Sequence, residues 1–297
     1  MLCAIVALLF ILTACDQNDK KNIGPQYSSK ANSSESVYYL AVHPLNNPDK
    51  LLRSYQPLID YLNENISGIR FELEASRDYQ VYEAKYRRKE AEFLLPNPWQ
   101  TLQAIKVGYH VIAQAGDAND FKGILIKRKD SKIATFNDLK GKTLSYPSAT
   151  ALAACILPQY FLSTKGIDVV HDIKNKYVGS QESAIMHTYL KQSDIGVTWP
   201  PPWRDFQKNH PEVAKQLTVI WETQPLINNS LMARNDIPEE IQLKVKNLLL
   251  NLGESIEGRE ILANMETTGF YAADNSTYNV VETFINSFEK SVRKVKP

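Results

Sequence analysis

Cysteine is scarce, and none of it forms a framework: Cys3 and Cys15 fall in the first fifteen residues, and Cys155 stands alone in the remainder. A fold stapled by disulfides is excluded. The five histidines, His43, His110, His171, His187 and His210, are scattered without a His-Glu-x-x-His pair, so no metal is expected. A Gly-x-Ser-x-Gly elbow and a phosphate-cradling Walker loop are also missing, which leaves the usual hydrolase and nucleotide chemistries without their residues. No cofactor and no catalytic set is expected, and an enzyme built on a binding fold is the remote alternative. The formal net charge is +1, so no basic excess exists to neutralise a nucleic-acid backbone. The apolar run from Ala4 to Leu12 falls short of the roughly 20 residues that span a bilayer.

That run ends in Leu12-Thr13-Ala14-Cys15 and resembles a bacterial lipoprotein signal, although no basic residue precedes Leu2. The resemblance implies that residues 1–15 are a signal peptide and that Cys15 is lipidated, holding the protein on the periplasmic side of the inner membrane. Asp16, directly after it, is similar to the residue that retains enteric lipoproteins there. Residues 16–36 are polar and read as a flexible tether, since they carry too little apolar surface to order themselves.

Over the whole sequence, hydrophobic content of 43% and charged content of 23% are those of a globular chain. Strand-like and helix-like runs alternate, the pattern of an α/β fold with crossover helices. Val37–His43, Arg70–Ala75, Glu92–Leu95, Tyr109–Ala115, Gly123–Lys127, Thr143–Tyr146, Lys176–Gly179, Ile195–Thr198, Leu217–Trp221 and Ser230–Ala233 read as strands. Helices are expected between them, among them 48–65, 78–88, 98–106, 151–162, 182–190 and 203–208, with three more closing the chain from Pro238. The length suits two lobes around a cleft: 37–122 with 230–297 as one, 123–229 as the other, hinged near Gly123 and Asn229.

The stretch Tyr146-Pro-Ser-Ala-Thr-Ala-Leu-Ala-Ala154 joins a strand to an alanine-rich helical run. A helix that starts there leaves its first N–H groups unpaired and places partial positive charge at that end, while Ser148 and Thr150 add hydroxyl donors. This is an anion seat, with simple helix capping by either hydroxyl as the alternative. Three more strand-to-helix junctions belong with it, because ligands in open α/β sheets sit at the carboxyl ends of strands. Ser76-Arg77-Asp78-Tyr79 offers the Tyr79 ring and hydroxyl, and Leu95-Pro96-Asn97-Pro98-Trp99 offers the Asn97 amide with Trp99 as a wall. Thr198-Trp199-Pro200-Pro201-Pro202-Trp203 is a stiff segment that holds two indoles for a methylated amine or flat group, or else packs as a rigid turn. His43 ends the first strand and is placed to line the cleft. Cys155 is expected to pack as a small apolar residue.

With these residues in view, 37–293 resembles the phosphonate/phosphate-type substrate-binding proteins of ABC transporters, which have the two-lobed type II periplasmic-binding fold. The similar elements are Pro48-Asp49-Lys50-Leu51, Ser76 to Tyr79, and Ser148-Ala149-Thr150-Ala151-Leu152 in place of the family's Ser-x-Thr-Ser-Gly loop. Gly179-Ser180-Gln181 carries glutamine where the family often has histidine, and Gly258 to Leu262, Phe270 and Asp274 to Tyr278 are similar as well. The acidic residue that grips an aminophosphonate's amine is absent around Trp199 to Trp203, which argues against that ligand. The resemblance implies a monomer that captures a small anionic or zwitterionic solute. Ser148, Ala149, Thr150 and Ala151 would hold the anion, and Tyr79, Asn97, Trp99, Gln181, Trp199, Trp203 and His43 would shape the rest. An inner-membrane ABC permease is the implied partner, and a sensor that signals without transport is the alternative.

Overall fold

The computed structural model describes residues 36–296, so the expected signal peptide, the Cys15 lipidation site and all but the last residue of the tether lie outside the described residues. In chain order the elements are β1 Ser36–Val42, α1 Pro48–Asn65, β2 Ile69–Glu74, α2 Tyr79–Arg87, β3 Phe93–Leu95, α3 Pro98–Lys106 and β4 Tyr109–Ala115. Then follow β5 Ile124–Arg128, β6 Thr143–Tyr146, a π-helix Leu152–Ile156 running into α4 Leu157–Thr164, β7 Lys174–Tyr177, α5 Gln181–Tyr189 and β8 Ile195–Thr198. The remainder is α6 Pro200–Asn209, α7 Pro211–Ala214, β9 Leu217–Glu222, β10 Asn229–Arg234, α8 Glu239–Leu250, α9 Ile256–Asn264, β11 Phe270–Tyr271 and α10 Asn279–Ser291. Among the described residues no helix is long and apolar enough to cross a membrane.

Two mixed sheets result. The first has the order β11-β4-β10-β3-β1-β2 and the second β7-β6-β8-β5-β9. In the first, β1 runs parallel to β2 and β3, while the returning β10 is antiparallel to β3 and β4. The second repeats the arrangement, with β6 parallel to β7 and β8, and β5 antiparallel to β8 and β9. A parallel pair needs a crossover of a dozen or more residues, and α1, α2, α4 and α5 supply it. Helix α1 shows the local logic. Asn47 caps it by accepting from the Lys50 N–H at 3.0 Å, Pro48 fills the first turn, and Leu51, Tyr55, Leu58, Ile59 and Leu62 form the buried stripe.

The chain passes between the sheets twice, after β4 and after β9. The two passages are tied to each other: Gly123 N donates to Thr223 Oγ1 at 2.9 Å, Thr223 N to Gly123 O at 2.9 Å, and Leu226 N to Phe121 O at 2.9 Å. Gly123 is needed there because a β-carbon would lie 2.5 Å from the Ala153 carbonyl and 2.4 Å from the Pro158 ring.

Two helices differ from the expected ones. The helix expected from Trp203 begins at Pro200, with Trp199 as its N-cap and the Trp203 N–H donating to the Trp199 carbonyl at 3.2 Å. Three successive prolines fit because first-turn N–H groups have no acceptor inside a helix, so their loss costs nothing. The helix expected from Ala151 opens as a π-helix, with the Ile156 N–H on the Ala151 carbonyl at 3.2 Å. Pro158 supplies a reason, since it cannot donate to Ala154 and its ring would strike that carbonyl in a regular α-turn.

Candidate functional site

The loop from Pro147 to Ala151 leaves β6 at its carboxyl end and enters the π-helix, whose N-cap, Ala151, makes no side-chain cap bond. The capping alternative for Ser148 and Thr150 is therefore not what the geometry shows. A π-turn leaves its first five N–H groups without an acceptor in the helix, one more than an α-turn does. Helix α6 is the contrast: prolines at 200, 201 and 202 leave its first turn no N–H to offer. Of the two helices that open from neighbouring strands β6 and β8, the one after β6 keeps N–H groups in its first turn.

Ser148 and Thr150 are joined by a 3.0 Å hydrogen bond between their hydroxyls, and the Thr150 N–H reaches Ser148 Oγ at 3.3 Å. Ser148, Ala149 and Thr150 line a cavity of 310 Å³ with Tyr79, Glu83 and Gly179. Residues from the first sheet's helices close on this loop. Asn97, the N-cap of α3, donates from Nδ2 to the Thr150 carbonyl at 3.2 Å. Gln181, at the start of α5, donates from Nε2 to the Tyr79 hydroxyl at 3.1 Å and accepts from Thr198 Oγ1 at 2.8 Å. Tyr79, Asn97, Ser148, Ala149, Thr150 and Gln181 are thus brought together, and Ala151 is buried behind them.

Sequence reasoning did not single out the residue that organises this cluster. Glu83 on α2 is 1% exposed, and its Oε1 accepts from Thr150 Oγ1 at 2.7 Å and from Gln100 Nε2 at 3.3 Å, with Arg87 Nη2 3.4 Å from Oε2. Burial raises its pKa, and the bonds from Thr150, Gln100 and Arg87 hold it back. Thr150, expected as a free donor to an anion, therefore has its hydroxyl committed to a carboxylate. The signal was present: Tyr79, Tyr82, Glu83 and Tyr86 lie at helical spacing on one buried stripe, and a carboxylate in such a stripe must answer to a partner.

His43 and Trp199 line an adjacent, nearly filled cavity of 20 Å³ with Asn228, Asn229 and Phe270. His43 is 3% exposed, its ring lies 6.3 Å from the Tyr79 ring, and Nδ1 is 2.8 Å from the Leu95 carbonyl. A carbonyl only accepts, so Nδ1 carries the proton and Nε2 is left as an acceptor. Burial drives this imidazole down to about 4, partly offset by the bond to Leu95. Asn229 Oδ1, also buried, finds no partner among the described residues.

Two expected members are elsewhere. Trp99 lines a separate 620 Å³ cavity with Leu102 and Ile285, because the apolar stripe of α3 faces α10. Trp203 stacks on Phe206 at 5.8 Å in the small cluster under the second sheet, whereas Trp199, the extended N-cap of the same helix, packs edge-on to Phe121 at 5.4 Å. Cys155 is buried in the π-helix, with its thiol pushed up to about 12 by burial. Arg293, beyond α10, reaches across to it: the guanidinium donates to the Ala149 carbonyl at 3.0 Å and to Gln159 Oε1 at 2.8 Å. A mouth of charges completes the contact between the sheets, with Arg204 paired to Asp120 at 2.8 Å and to Glu266 at 3.1 Å, and Lys50 to Asp205. Among the described residues no cluster of His, Cys, Asp and Glu could hold a metal ion.

Residues 40–278 match the family model described as ABC transporter, phosphonate, periplasmic substrate-binding protein. A probable ABC transporter phosphite binding protein of Prochlorococcus marinus is 24% identical over 185 residues, which cover 58% of this chain and 62% of that protein's length. The solved structure of a binding protein component of an ABC phosphonate transporter from Pseudomonas aeruginosa superposes with a TM-score of 0.80 at 19% identity, covering 86% of this chain and 88% of that one. The Prochlorococcus marinus protein in complex with methylphosphonate gives a TM-score of 0.77 at 20% identity, covering 86% and 99%.

Proposed function

Because the chain belongs to the phosphonate family of periplasmic substrate-binding proteins of ABC transporters and has their type II fold, we propose that it captures a small oxoanion between its two sheets and presents the closed form to a membrane permease. The ligand class is phosphonate, phosphite or phosphate. The observation that supports this most is the placement of Ser148, Ala149 and Thr150, before a helix start without a side-chain cap, beside Tyr79 on the 310 Å³ cavity, with Gln181 bonded to the Tyr79 hydroxyl.

In this reading Ser148 and the first N–H groups of the π-helix hold the oxoanion. Tyr79, Asn97 and Gln181 enclose it, and His43 and Trp199 bound the side that carries the substituent. Residues 37–122 with 230–297 form one lobe and 123–229 the other, turning on the passages around Gly123 and Asn229. The protein works as a monomer in the periplasm, tethered through a lipid on Cys15.

A thermal-shift titration of residues 36–297 with methylphosphonate, phosphite, phosphate and glutamate tests the ligand class. A ligand at 100 times its dissociation constant stabilises by about 2.7 kcal/mol. Stabilisation by a phosphorus oxoanion and not by glutamate is the expected result, and no stabilisation by any of the three would overturn the reading.

A further inference from the structure

We propose that Glu83 is a specificity-determining residue: it claims the one hydroxyl proton of Thr150, so an oxoanion that meets Thr150 must bring a proton of its own. The proposal rests on the oxoanion reading above. A phosphonate or phosphite that keeps one P–OH is then admitted, and a sulfonate or sulfate, which keeps none, is turned away.

The proton count carries the argument. A threonine hydroxyl has one hydrogen and two lone pairs. Thr150 is 2% exposed, and its Oγ1 lies 2.7 Å from Glu83 Oε1, the distance of a charge-assisted bond. Three donors, from Thr150, Gln100 and Arg87, converge on Glu83, as suits a carboxylate that only accepts. With its hydrogen turned towards Glu83, Thr150 shows only lone pairs to the cavity. The Ser148 hydroxyl, 3.0 Å away, is free to donate either to Thr150 or to a ligand. A deprotonated ligand oxygen placed against Thr150 would set two acceptors face to face beside a buried carboxylate, with no proton between them. A P–OH in that place donates to Thr150 and completes a chain of bonds that ends on Glu83. Glu83 also lines the same cavity as Ser148 and Thr150, so the chain starts where the ligand would lie.

Isothermal titration of methylphosphonate and methanesulfonate into the wild type and Glu83→Leu tests this, because the two ligands share shape and differ in the proton. Leucine removes the acceptor and frees the Thr150 hydrogen to turn towards the cavity, whereas glutamine would keep an amide oxygen against Thr150 and Gln100. The wild type is expected to prefer methylphosphonate, and Glu83→Leu to reduce that preference at least about tenfold, mainly by gaining the sulfonate. A second readout needs no variant. At about pH 9.5, well above the second ionisation of an alkylphosphonate, binding of methylphosphonate to the wild type should take up close to one proton, seen as a dependence of the heat on the buffer's ionisation enthalpy. Methylphosphonate binding without proton uptake, or with an unchanged preference in folded Glu83→Leu, overturns the role of Glu83 and leaves the oxoanion reading standing. A wild type that binds neither ligand overturns both.

Discussion

Replacing His43 with glutamine should remove a pH dependence of stability whose size follows from the burial of the ring. The folded imidazole is held at about 4 against an ordinary 6.5, so between those values the unfolded chain binds a proton that the folded chain refuses. Stability is complete above the higher value and is lost as pH falls through that window. The loss amounts to about 2 kcal/mol by pH 5 and about 3 kcal/mol below the lower value. Glutamine keeps an N–H for the Leu95 carbonyl and does not titrate, so the variant isolates the charge. Urea unfolding followed by tryptophan fluorescence at about pH 7.5 and about pH 5 gives the comparison, and carboxylates common to both proteins cancel in the difference. The wild type should lose about 2 kcal/mol more than His43→Gln on acidification. Equal losses would mean that the ring is solvated, and that the contact between the two sheets around Tyr79 and Trp199 is looser than described.

Gly123→Ala should destabilise by about 1–3 kcal/mol, because the new methyl meets the Ala153 carbonyl and the Pro158 ring; a melting temperature equal to the wild type's would refute the close approach. The two tryptophans of the proline segment should separate. Trp203→Ala should cost roughly 2 kcal/mol of stability by emptying half-buried packing on Phe206 and leave methylphosphonate affinity unchanged. Trp199→Ala, which opens the small cavity beside His43, should weaken that affinity, and the reverse pattern would reassign the two rings.

Most strands and helices were legible because turn residues mark them: Pro48 and Pro98, each behind an asparagine, start helices where expected. The fold class followed from that alternation. What was not legible depends on contacts distant in sequence. A run such as Leu152 to Ile156 is apolar on every side, so periodicity cannot tell a π-helix from an α-helix, and the effect of Pro158 reaches back a full turn. The two-residue strand β11 exists only because it pairs with β4. A strand-to-helix junction tells which end of a sheet a residue occupies and not which way its side chain turns. Tyr79 and Asn97 therefore met the loop at Ser148, while Trp99 turned to α10 and Trp203 to Phe206. Glu83 was readable in principle as a carboxylate one turn beyond Tyr79, but its partner Thr150 is 67 residues further on.

A crystal of residues 36–297 grown with methylphosphonate would locate the anion directly. Its oxygens are expected within about 3 Å of Ser148 Oγ and of the opening N–H groups of the π-helix, on the cavity shared with Tyr79 and Glu83. An anion bound elsewhere, with that helix start in contact only with the protein's own atoms, would contradict the anion seat.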